Sequence, residues 1–401
     1  MRIAISGASG YIGQHLSSFL EGKGYDVIPL GRDLFKEDCF DELCRCVESC
    51  EVVINLAGAS INKRWTEAYK QELYDSRICV TRQLVHALNT RSVKLELFIS
   101  ASAVGYYPAF GEYDEYHDCR GMDFLARLCG AWEEEASACS SDVRLVITRF
   151  GVVLSEDGGA LKEMLRLQRF SRVSVVIGNG QQRFPWISLF DLCRSFGYII
   201  RNRQMRGVVN LVSPDLITQK QLAHTLARAD KIRRIIPLPE FFFRLKFGEG
   251  ASFVTKGQTV HPSKLQESGF TYIYPTIEKL MNITDHHTVP ELDVKRYMGR
   301  WYEIARYENH FERGMTDVTA TYTLLPDGKI RVENEGYKGG VHKKATGRAK
   351  QPDPKNNPGK LKVAFFLWFY ADYYILELDA DYQYAVIGSS TDKYLWILSR
   401  E

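Results

Sequence analysis

The chain has 401 residues, which is too long for one ordinary hydrophobic core and predicts two or three domains. It is 45% hydrophobic and 25% charged, as is typical of a globular protein, and its formal net charge of +3 comes without a block of basic residues. This balance argues against a dedicated nucleic-acid-binding protein. The N-terminus lacks the charged and apolar regions of a signal peptide, and no apolar run is long enough to span a bilayer. We therefore expect a cytoplasmic protein without a transmembrane segment.

Nine cysteines are present, and four of them crowd between Cys39 and Cys50. A metal site is one interpretation of this cluster. However, Cys44 and Cys46 are two apart on a predicted helix and would face different sides, and no flanking pair has the spacing of metal ligands. The pattern favours reduced thiols and no metal site.

Apolar strand-like runs alternate with helical patterns over about the first 190 residues. The strand "RIAISG" is followed by the helix "YIGQHLSSFLEGKG", and later strands include "YDVIPLG", "EVVINLAG", "LELFISAS" and a single long strand "RLVITRFGVVL". Such alternation predicts an α/β fold, with a doubly wound parallel sheet covered by helices on both faces.

Three glycines, Gly7, Gly10 and Gly13, separate the first strand from the first helix. This spacing allows a tight turn, a close approach of the backbone to a pyrophosphate and a helix N-terminus that faces the phosphates. Arg32 follows the second strand, where a carboxylate would select the ribose of NAD, and it favours the 2′-phosphate of NADP. Asp33 comes directly after it, and a solvated loop arginine is the alternative interpretation of Arg32.

The segment "ITDHHTVPELD", from Ile283 to Asp293, is polar, contains a proline and shows no periodicity, so it predicts a linker. A pair of histidines, His286 and His287, lies within it. Isolated histidines of this kind are more often solvated than metal-bound.

Helical periodicity largely disappears after the linker. Eight short alternating runs follow, from "RWYEIARY" to "YLWILSR", and turn segments such as "PDGK" and "NNPGK" separate them. Regularly spaced strands with short turns predict an eight-stranded up-and-down antiparallel barrel. We therefore predict a nucleotide-binding domain over residues 1–285, a linker over 286–291 and a barrel domain over 292–401.

The N-terminal motifs resemble the extended short-chain dehydrogenase/reductase (SDR) superfamily, with "NLAG" as a further match beside the cofactor. Longer segments, including "SASAVGYYP", "TRFGVVLSEDGGAL" and "IGNGQQRFPWISLFDL", are similar to its atypical group of epimerase/dehydratase or sugar-nucleotide epimerase-like proteins. The resemblance spans about Met1 to Asn282 and implies a Rossmann-type NAD(P)-binding domain, with NADP expected and NAD as the alternative. The implied cofactor-binding residues are Gly7, Ser9, Gly10, Tyr11, Ile12, Gly13, Arg32, Leu56, Ala57 and Gly58.

The catalytic set of the SDR family is a serine together with a Tyr-x-x-x-Lys pair on a helix, in which the lysine lowers the tyrosine pKa. The segment "SAVGY" assigns the serine to Ser102. In the helix "FLARLCGAWE", aligned on its glutamate, Leu125 replaces the tyrosine and Cys129 replaces the lysine. The candidate catalytic residues are therefore Ser102 and Tyr106, although Tyr106 and its neighbour Tyr107 are as readily explained by packing or by stacking on the nicotinamide.

Other residues in the matching segments have less specific interpretations. The cations Lys63, Arg64 and Arg77 are candidates to hold an anionic substrate, or they are solvated surface residues. Trp186, in "GQQRFPWI", fits a core position better than a substrate contact.

The stretch "LDVKRYMGRWYEIARYENHFERG" resembles the first lipocalin signature, and later segments are similar to the bacterial lipocalin subgroup. The resemblance implies that Trp301 of the Gly299-x-Trp motif closes one end of the barrel and that Arg400 packs over it as a cation–π contact. It also implies an apolar ligand such as a fatty acid or a lysophospholipid, with a filled, purely structural or docking barrel as the alternative. The lipoprotein signal and the C-terminal helix that normally accompany this domain are expected to be absent.

Two functions are consistent with these patterns. One is an NADP-dependent oxidoreductase or epimerase-like enzyme that acts on a small-molecule substrate and carries a lipocalin for an apolar ligand. The other is a non-catalytic nucleotide-binding sensor or lipid carrier, and the missing Tyr/Lys pair favours it.

Overall fold

The computed structural model of the protein describes residues 1–92, 95–281, 288–309, 312–355, 357–365, 370–389 and 394–401. It divides into two compact units, Met1–Met281 and Asn282–Glu401. His286 and His287, at the start of the predicted linker 286–291, lie outside the described residues.

The strands of the first unit are β1 (Arg2–Ser6), β2 (Asp26–Leu30), β3 (Val52–Asn55), β4 (Leu97–Ala103), β5 (Glu112–Tyr113), β6 (Arg144–Phe150), β7 (Val152–Ser155), β8 (Val173–Ile177), β9 (Trp186–Ser188), β10 (Gly207–Leu211), β11 (Arg234–Leu238) and β12 (Thr259–Val260). Its α-helices are α1 (Tyr11–Glu21), α2 (Phe40–Glu48), α3 (Glu67–Asn89), α4 (Phe124–Ser137), α5 (Gly159–Ser171), α6 (Leu189–Arg201), α7 (Gln219–Ala229), α8 (Glu240–Phe247), α9 (Ser252–Thr255), α10 (Ser263–Glu267) and α11 (Ile277–Leu280).

Six strands form the main parallel sheet, in the order β2-β1-β3-β4-β6-β10. Side chains of α1 and α6 pack on one face of this sheet, and side chains of α2 and α3 pack on the other. All four residues of β3 are buried, as expected for a central strand covered on both faces. The predicted doubly wound α/β fold is confirmed. The chain order reverses between β1 and β3, and ligands of such folds bind at the carboxyl ends of the strands at this point.

The predicted strand "RLVITRFGVVL" is wrong as a single element, because it is divided at Gly151 into β6 and β7. The amide of Gly151 still bonds to the carbonyl of Leu211, the last residue of β10, at 3.1 Å, but the amide of Val152 bonds to the Pro185 carbonyl at 2.8 Å. The backbone thus changes partners within one residue, and β7 pairs with β9 in a separate parallel sheet. Two further small parallel pairs, β8–β11 and β5–β12, complete the strands of this unit.

The second unit starts with the short helix α12 (Val294–Tyr297). Its strands are β13 (Gly299–Arg306), β14 (Met315–Leu324), β15 (Ile330–Lys338), β16 (Val341–Lys350), β17 (Lys360–Ala364), β18 (Ala371–Leu378), β19 (Tyr384–Gly388) and β20 (Leu395–Ser399). Each strand is antiparallel to its neighbours, and β13 pairs with β20 to close the barrel. The predicted eight-stranded barrel is confirmed.

One end of the barrel is closed around Trp301, whose side chain is fully buried. The guanidinium carbon of Arg400 lies 3.9 Å from the centroid of the Trp301 ring, and Gly299 lies directly beside this guanidinium. Arg400 also donates hydrogen bonds to four backbone carbonyls at the start of the unit, those of Arg296, Tyr297, Met298 and Arg300. The arginine therefore ties the last strand to the segment that precedes and begins the first.

No helix among the described residues combines the length and the apolar character that a bilayer crossing requires. The cytoplasmic location stays a prediction from the sequence.

Candidate functional site

The loop between β1 and α1 can exist only with small residues. Gly7 has a φ of +74°, and a Cβ at this position would lie 2.8 Å from the carbonyl carbon of Leu56. A Cβ on Gly13 would lie 2.2 Å from the carbonyl oxygen of Gly7. The loop therefore packs backbone against backbone, and it leaves a surface on which a ligand can approach the main chain closely.

Helix α1 begins at this loop with an uncapped N-terminus. Gly10 is its N-cap and offers no side chain, and its first turn, Tyr11 to Gly13, has no acidic residue. The first amides of a helix lack partners within the helix, and they carry the positive end of its dipole. This combination of a bare helix start and a glycine cradle fits a phosphate group.

The loop that follows β3 lies against the glycine loop, which brings Leu56, Ala57 and Gly58 to the predicted cofactor edge. Asn55, which is fully buried, holds these two loops together. It accepts a hydrogen bond from the Ser6 hydroxyl at 2.6 Å and one from the Ala57 amide at 3.3 Å. The motif "NLAG" includes Asn55, but the predicted cofactor contacts began at Leu56; in the structure Asn55 fixes the residues that follow it in place.

Arg32 is exposed directly after β2 and makes no hydrogen bond or ion pair with the part of the chain that the structure describes. Its acidic neighbour Asp33 forms an ion pair with Lys36, because the Asp33 carboxylate lies 2.5 Å from the Lys36 ammonium. The hydrogen bond and charge of Lys36 lower the pKa of Asp33. The site thus offers an unpaired guanidinium beside a carboxylate that already has a counterion.

Ser102, near the end of β4, is 2% exposed and joins a buried network. Its hydroxyl donates to the Glu133 carboxylate at 2.6 Å. Arg149 on β6 donates two hydrogen bonds to the same carboxylate, at 2.8 and 2.7 Å. Burial lowers the pKa of Arg149, but the hydrogen bonds and charge of Glu133 outweigh it and raise the pKa overall. The guanidinium of this bidentate pair is therefore held in its charged form.

Two tyrosines pack against the same guanidinium. The Arg149 guanidinium carbon lies 3.5 Å from the ring centroid of Tyr106 and 4.7 Å from that of Tyr107. Tyr107 is 2% exposed, and its hydroxyl bonds with the Asn210 side chain at 3.1 Å, so it is a core residue. Tyr106 is only partly buried and donates its hydroxyl to Asp118 at 3.2 Å. Burial raises the pKa of Tyr106, although the charge of Arg149 opposes the shift.

The positions of the SDR tyrosine and lysine contain groups that cannot take over their chemistry. The Leu125 side chain packs against Gly105. Cys129 is buried, and burial raises the pKa of its thiol to about 12, so it stays neutral. Glu133 lies one helical turn after Cys129 on α4 and faces the same side.

The three cations considered as substrate ligands all have partners within the protein. Arg64 donates to the Leu245 carbonyl at 2.6 Å, and the Lys63 ammonium lies 4.9 Å from the ring centroid of Tyr69. Arg77 donates to the carbonyls of Leu73 and Ala59, each at 3.0 Å, and burial lowers its pKa. These contacts favour a structural role, above all for Arg77.

Trp186 is fully buried on β9, which agrees with the core position expected for it.

The amino-acid sequence matches three known family models. The NAD dependent epimerase/dehydratase family model matches residues 3–211, and a domain of unknown function (DUF1731) matches residues 238–282. A lipocalin-like domain matches residues 292–401. The three matches follow one another along the chain in the order of the structural units.

Individual relatives cover the first unit. An epimerase family protein of Staphylococcus haemolyticus is 35% identical over 286 residues, which are 68% of this chain and 95% of the relative. The epimerase family protein YfhF of Bacillus subtilis is 33% identical and is covered completely by 72% of this chain. A crystal structure of human epimerase family protein SDR39U1 with NADPH is 32% identical with a TM-score of 0.65, over 70% of this chain and 98% of the human one.

Removal of one member of the buried Glu133–Arg149 pair should destabilise the first unit strongly. We expect Glu133→Gln and Arg149→Met each to lower its free energy of unfolding by about 3–5 kcal/mol, because each leaves an unpaired buried charge. The double variant should lose less than the sum of the two. Urea unfolding of the full chain, followed by tryptophan fluorescence, measures these differences.

The matched control is the exposed pair Glu163 and Arg166, whose charged atoms lie 2.7 Å apart. The same substitutions there should change the free energy of unfolding by less than about 1 kcal/mol. Additive losses at Glu133 and Arg149 would contradict the interaction.

Proposed function

The chain belongs to the NAD dependent epimerase/dehydratase family, and from this membership we propose that its first unit binds NADP(H) at the carboxyl ends of β1 and β3. The observation that carries the proposal is the Gly7–Gly13 cradle, which opens onto the uncapped start of α1. The NADPH in the crystal structure of the human relative supports the same cofactor. Arg32 is unpaired, and the neighbouring Asp33 carboxylate is already ion-paired with Lys36, which supports NADP over NAD.

Each group of the bound cofactor would contact a different segment of the site. The glycine loop and the first turn of α1 would hold the pyrophosphate, and Arg32 would pair with the 2′-phosphate. The nicotinamide, when bound, supplies a hydride donor or acceptor. The remaining proposed contacts border the same loops: Ser9, Tyr11, Ile12, Leu56, Ala57 and Gly58.

We propose that Tyr106 is the proton donor of a carbonyl reduction and that Ser102 orients a hydroxyl group of the same substrate. Because burial raises its pKa, Tyr106 keeps its proton at neutral pH and can deliver it to the substrate carbonyl oxygen as the carbonyl carbon accepts a hydride. The cation of Arg149 over its ring would stabilise the tyrosinate that remains. The Ser102 hydroxyl proton is committed to Glu133, so Ser102 would accept a hydrogen bond from a substrate hydroxyl.

A second candidate function is non-catalytic nucleotide binding. The neutral thiol of Cys129 favours it, because no cation stands where the SDR lysine would lower the pKa of a catalytic tyrosine. Leu125, in turn, has no proton to exchange.

The lipocalin-like second unit is proposed to bind one apolar ligand, such as a lysophospholipid or a fatty acid. Side chains alternate along a strand, so Glu303 shares the inner face of β13 with the buried Trp301. Glu303 is ion-paired with Arg306, and Arg306 also donates to the carbonyls of Glu312 and Met315. Burial is the larger cause that raises the pKa of Glu303, and the charge of the Glu312 carboxylate also acts on Glu303 and adds to the rise. Two carboxylates and one guanidinium thus disfavour a fatty-acid anion and favour a zwitterionic lysophospholipid.

The substitution Arg32→Ala should weaken NADPH binding about tenfold or more, since a hydrogen bond between charged groups contributes about 1.5–3 kcal/mol. The affinity for NADH should change less than twofold, because NADH has no 2′-phosphate. Isothermal titration calorimetry measures both. Arg45→Ala, an exposed arginine on α2, serves as the control and should change neither affinity. Equal losses for NADPH and NADH would refute the proposed role of Arg32.

Substitution of Tyr106 distinguishes the enzyme from the silent binding protein. With NADPH and a panel of carbonyl compounds and nucleotide sugars, we expect turnover by the natural protein and a loss of about a hundredfold or more in Tyr106→Phe. NADPH affinity should be unchanged. The rate should be constant through neutral pH and fall only as the pH rises through the raised pKa of Tyr106. Tyr116→Phe, at an exposed tyrosine, is the control; cofactor binding without turnover by any of the proteins would favour the non-catalytic alternative.

The barrel ligand can be tested by native mass spectrometry of the full chain with added lipids. We expect one lysophosphatidylcholine per chain and weaker binding of palmitate. Glu303→Gln should improve palmitate binding severalfold, because it removes a negative charge from the inner face. Glu377→Gln, at an exposed position of β18, should have no effect. A folded barrel that takes up neither lipid would sink the carrier proposal.

A further inference from the structure

A second surface of the first unit lies apart from the nucleotide site, where α5 and α7 end and β8 and β11 begin. Because β8 and β11 are parallel, with Arg234 opposite Val173, the segments that precede them meet. A groove of about 330 Å³ forms there, lined by Ser171, Arg172, Lys231, Ile232, Arg233 and Arg234.

The groove is strongly cationic. Four of its side chains make no ion pair or hydrogen bond to any residue that the structure describes: Arg172, Lys231, Arg233 and Arg234. The acidic side chain next to the groove already has partners, because Asp230 accepts from Arg169 at 2.9 Å and from Gln168 at 2.7 Å. The charge of the groove is therefore not compensated locally.

The negative ends of two helix dipoles compensate part of this positive charge. Arg172 is the C-cap of α5, and Lys231 follows the C-cap of α7, so both lie near the negative end of a helix dipole. Arg233 and Arg234 lie beyond the last turn of α7, where the dipole is weak. The positive charges of Arg233 and Arg234 therefore remain uncompensated in the groove and favour the binding of an external anion.

Two large apolar side chains adjoin these cations. Leu167 is 60% exposed and Phe170 is 92% exposed, and they are three residues apart on the last turns of α5, so they lie on one face. Phe170 is two residues from Arg172. Exposed apolar side chains next to unpaired cations are the arrangement by which a protein surface contacts an anionic bilayer.

We propose that this surface docks onto bilayers that contain anionic phospholipids. The four groove cations contact headgroup phosphates, and Phe170 and Leu167 enter the boundary of the acyl chains. A second copy of the chain is a poorer occupant, because two identical cationic faces repel each other and a stable dimer buries roughly 800 Å² per partner. The groove shares no residue with the proposed cofactor site or with the second unit.

The test is co-sedimentation of the full chain with vesicles of phosphatidylcholine alone or mixed with phosphatidylglycerol. We expect binding only to the mixed vesicles, and weaker binding at higher salt. Arg233→Gln with Arg234→Gln should lower partitioning about 30-fold, since each cation near such a surface contributes about fivefold. Phe170→Ser should lower it about tenfold through lost apolar burial.

Matched controls are Arg201→Gln with Arg206→Gln, exposed arginines outside the groove, and Phe241→Ser, a 66% exposed phenylalanine on α8. These should bind as the natural protein does. Equal loss in the controls, absence of vesicle binding, or binding of inorganic phosphate by the groove without vesicle binding would each overturn the proposal. So would a concentration-dependent dimer, seen by analytical ultracentrifugation, that Phe170→Ser abolishes. NADPH binding by every variant verifies folding separately.

Discussion

The candidate site of the first unit depends on the buried ion pair between Glu133 and Arg149. It joins helix α4 to strand β6, and through the Ser102 hydroxyl it also reaches β4. A charge removed from water needs a close partner of opposite sign, so the positions of these elements are linked. The Tyr106 ring packs on the same guanidinium, which positions the ring. The geometry around Ser102 can therefore persist although Leu125 and Cys129 replace the usual tyrosine and lysine.

Inside the closed end of the barrel, neutral hydrogen bonds between tyrosines add to the contacts of Arg400. The Tyr373 hydroxyl lies 2.7 Å from that of Tyr297 and 2.8 Å from that of Tyr322. Burial raises the pKa of Tyr322 to about 12 and those of Tyr297 and Tyr373 well above the usual tyrosine value, so all three hydroxyls keep their protons and can alternate as donors and acceptors. Together with Trp301 they fill the closed end of the barrel, and a ligand would be confined to the rest of the interior.

Local patterns in the sequence were sufficient for both folds and for the glycine loop, because alternation, turns and cap residues act over a few positions. Gly151 was a local signal of an interruption, but the change of strand partner was not predictable from the run, since both halves are apolar and the distant Pro185 carbonyl redirects the backbone. Contacts over long separations, such as Ser102 with Glu133 across 31 residues, are equally invisible. Arg77 combines both kinds of contact, because its bond to the Leu73 carbonyl is local to α3 whereas its bond to the Ala59 carbonyl spans 18 positions. The pairing of Asp33 with Lys36, only three residues on, is a local signal that could have been found.

The pairing of β13 with β20 has a consequence for synthesis on the ribosome. All six strands of the main sheet in the first unit have been synthesised once β10 has been made. This sheet can therefore assemble while later residues are still being added. The barrel cannot close in the same way, because its first strand has only one neighbour until its last strand emerges. During that interval β13 exposes an unpaired edge and the Trp301 side chain, which makes the nascent barrel the stage at which chaperones would be needed.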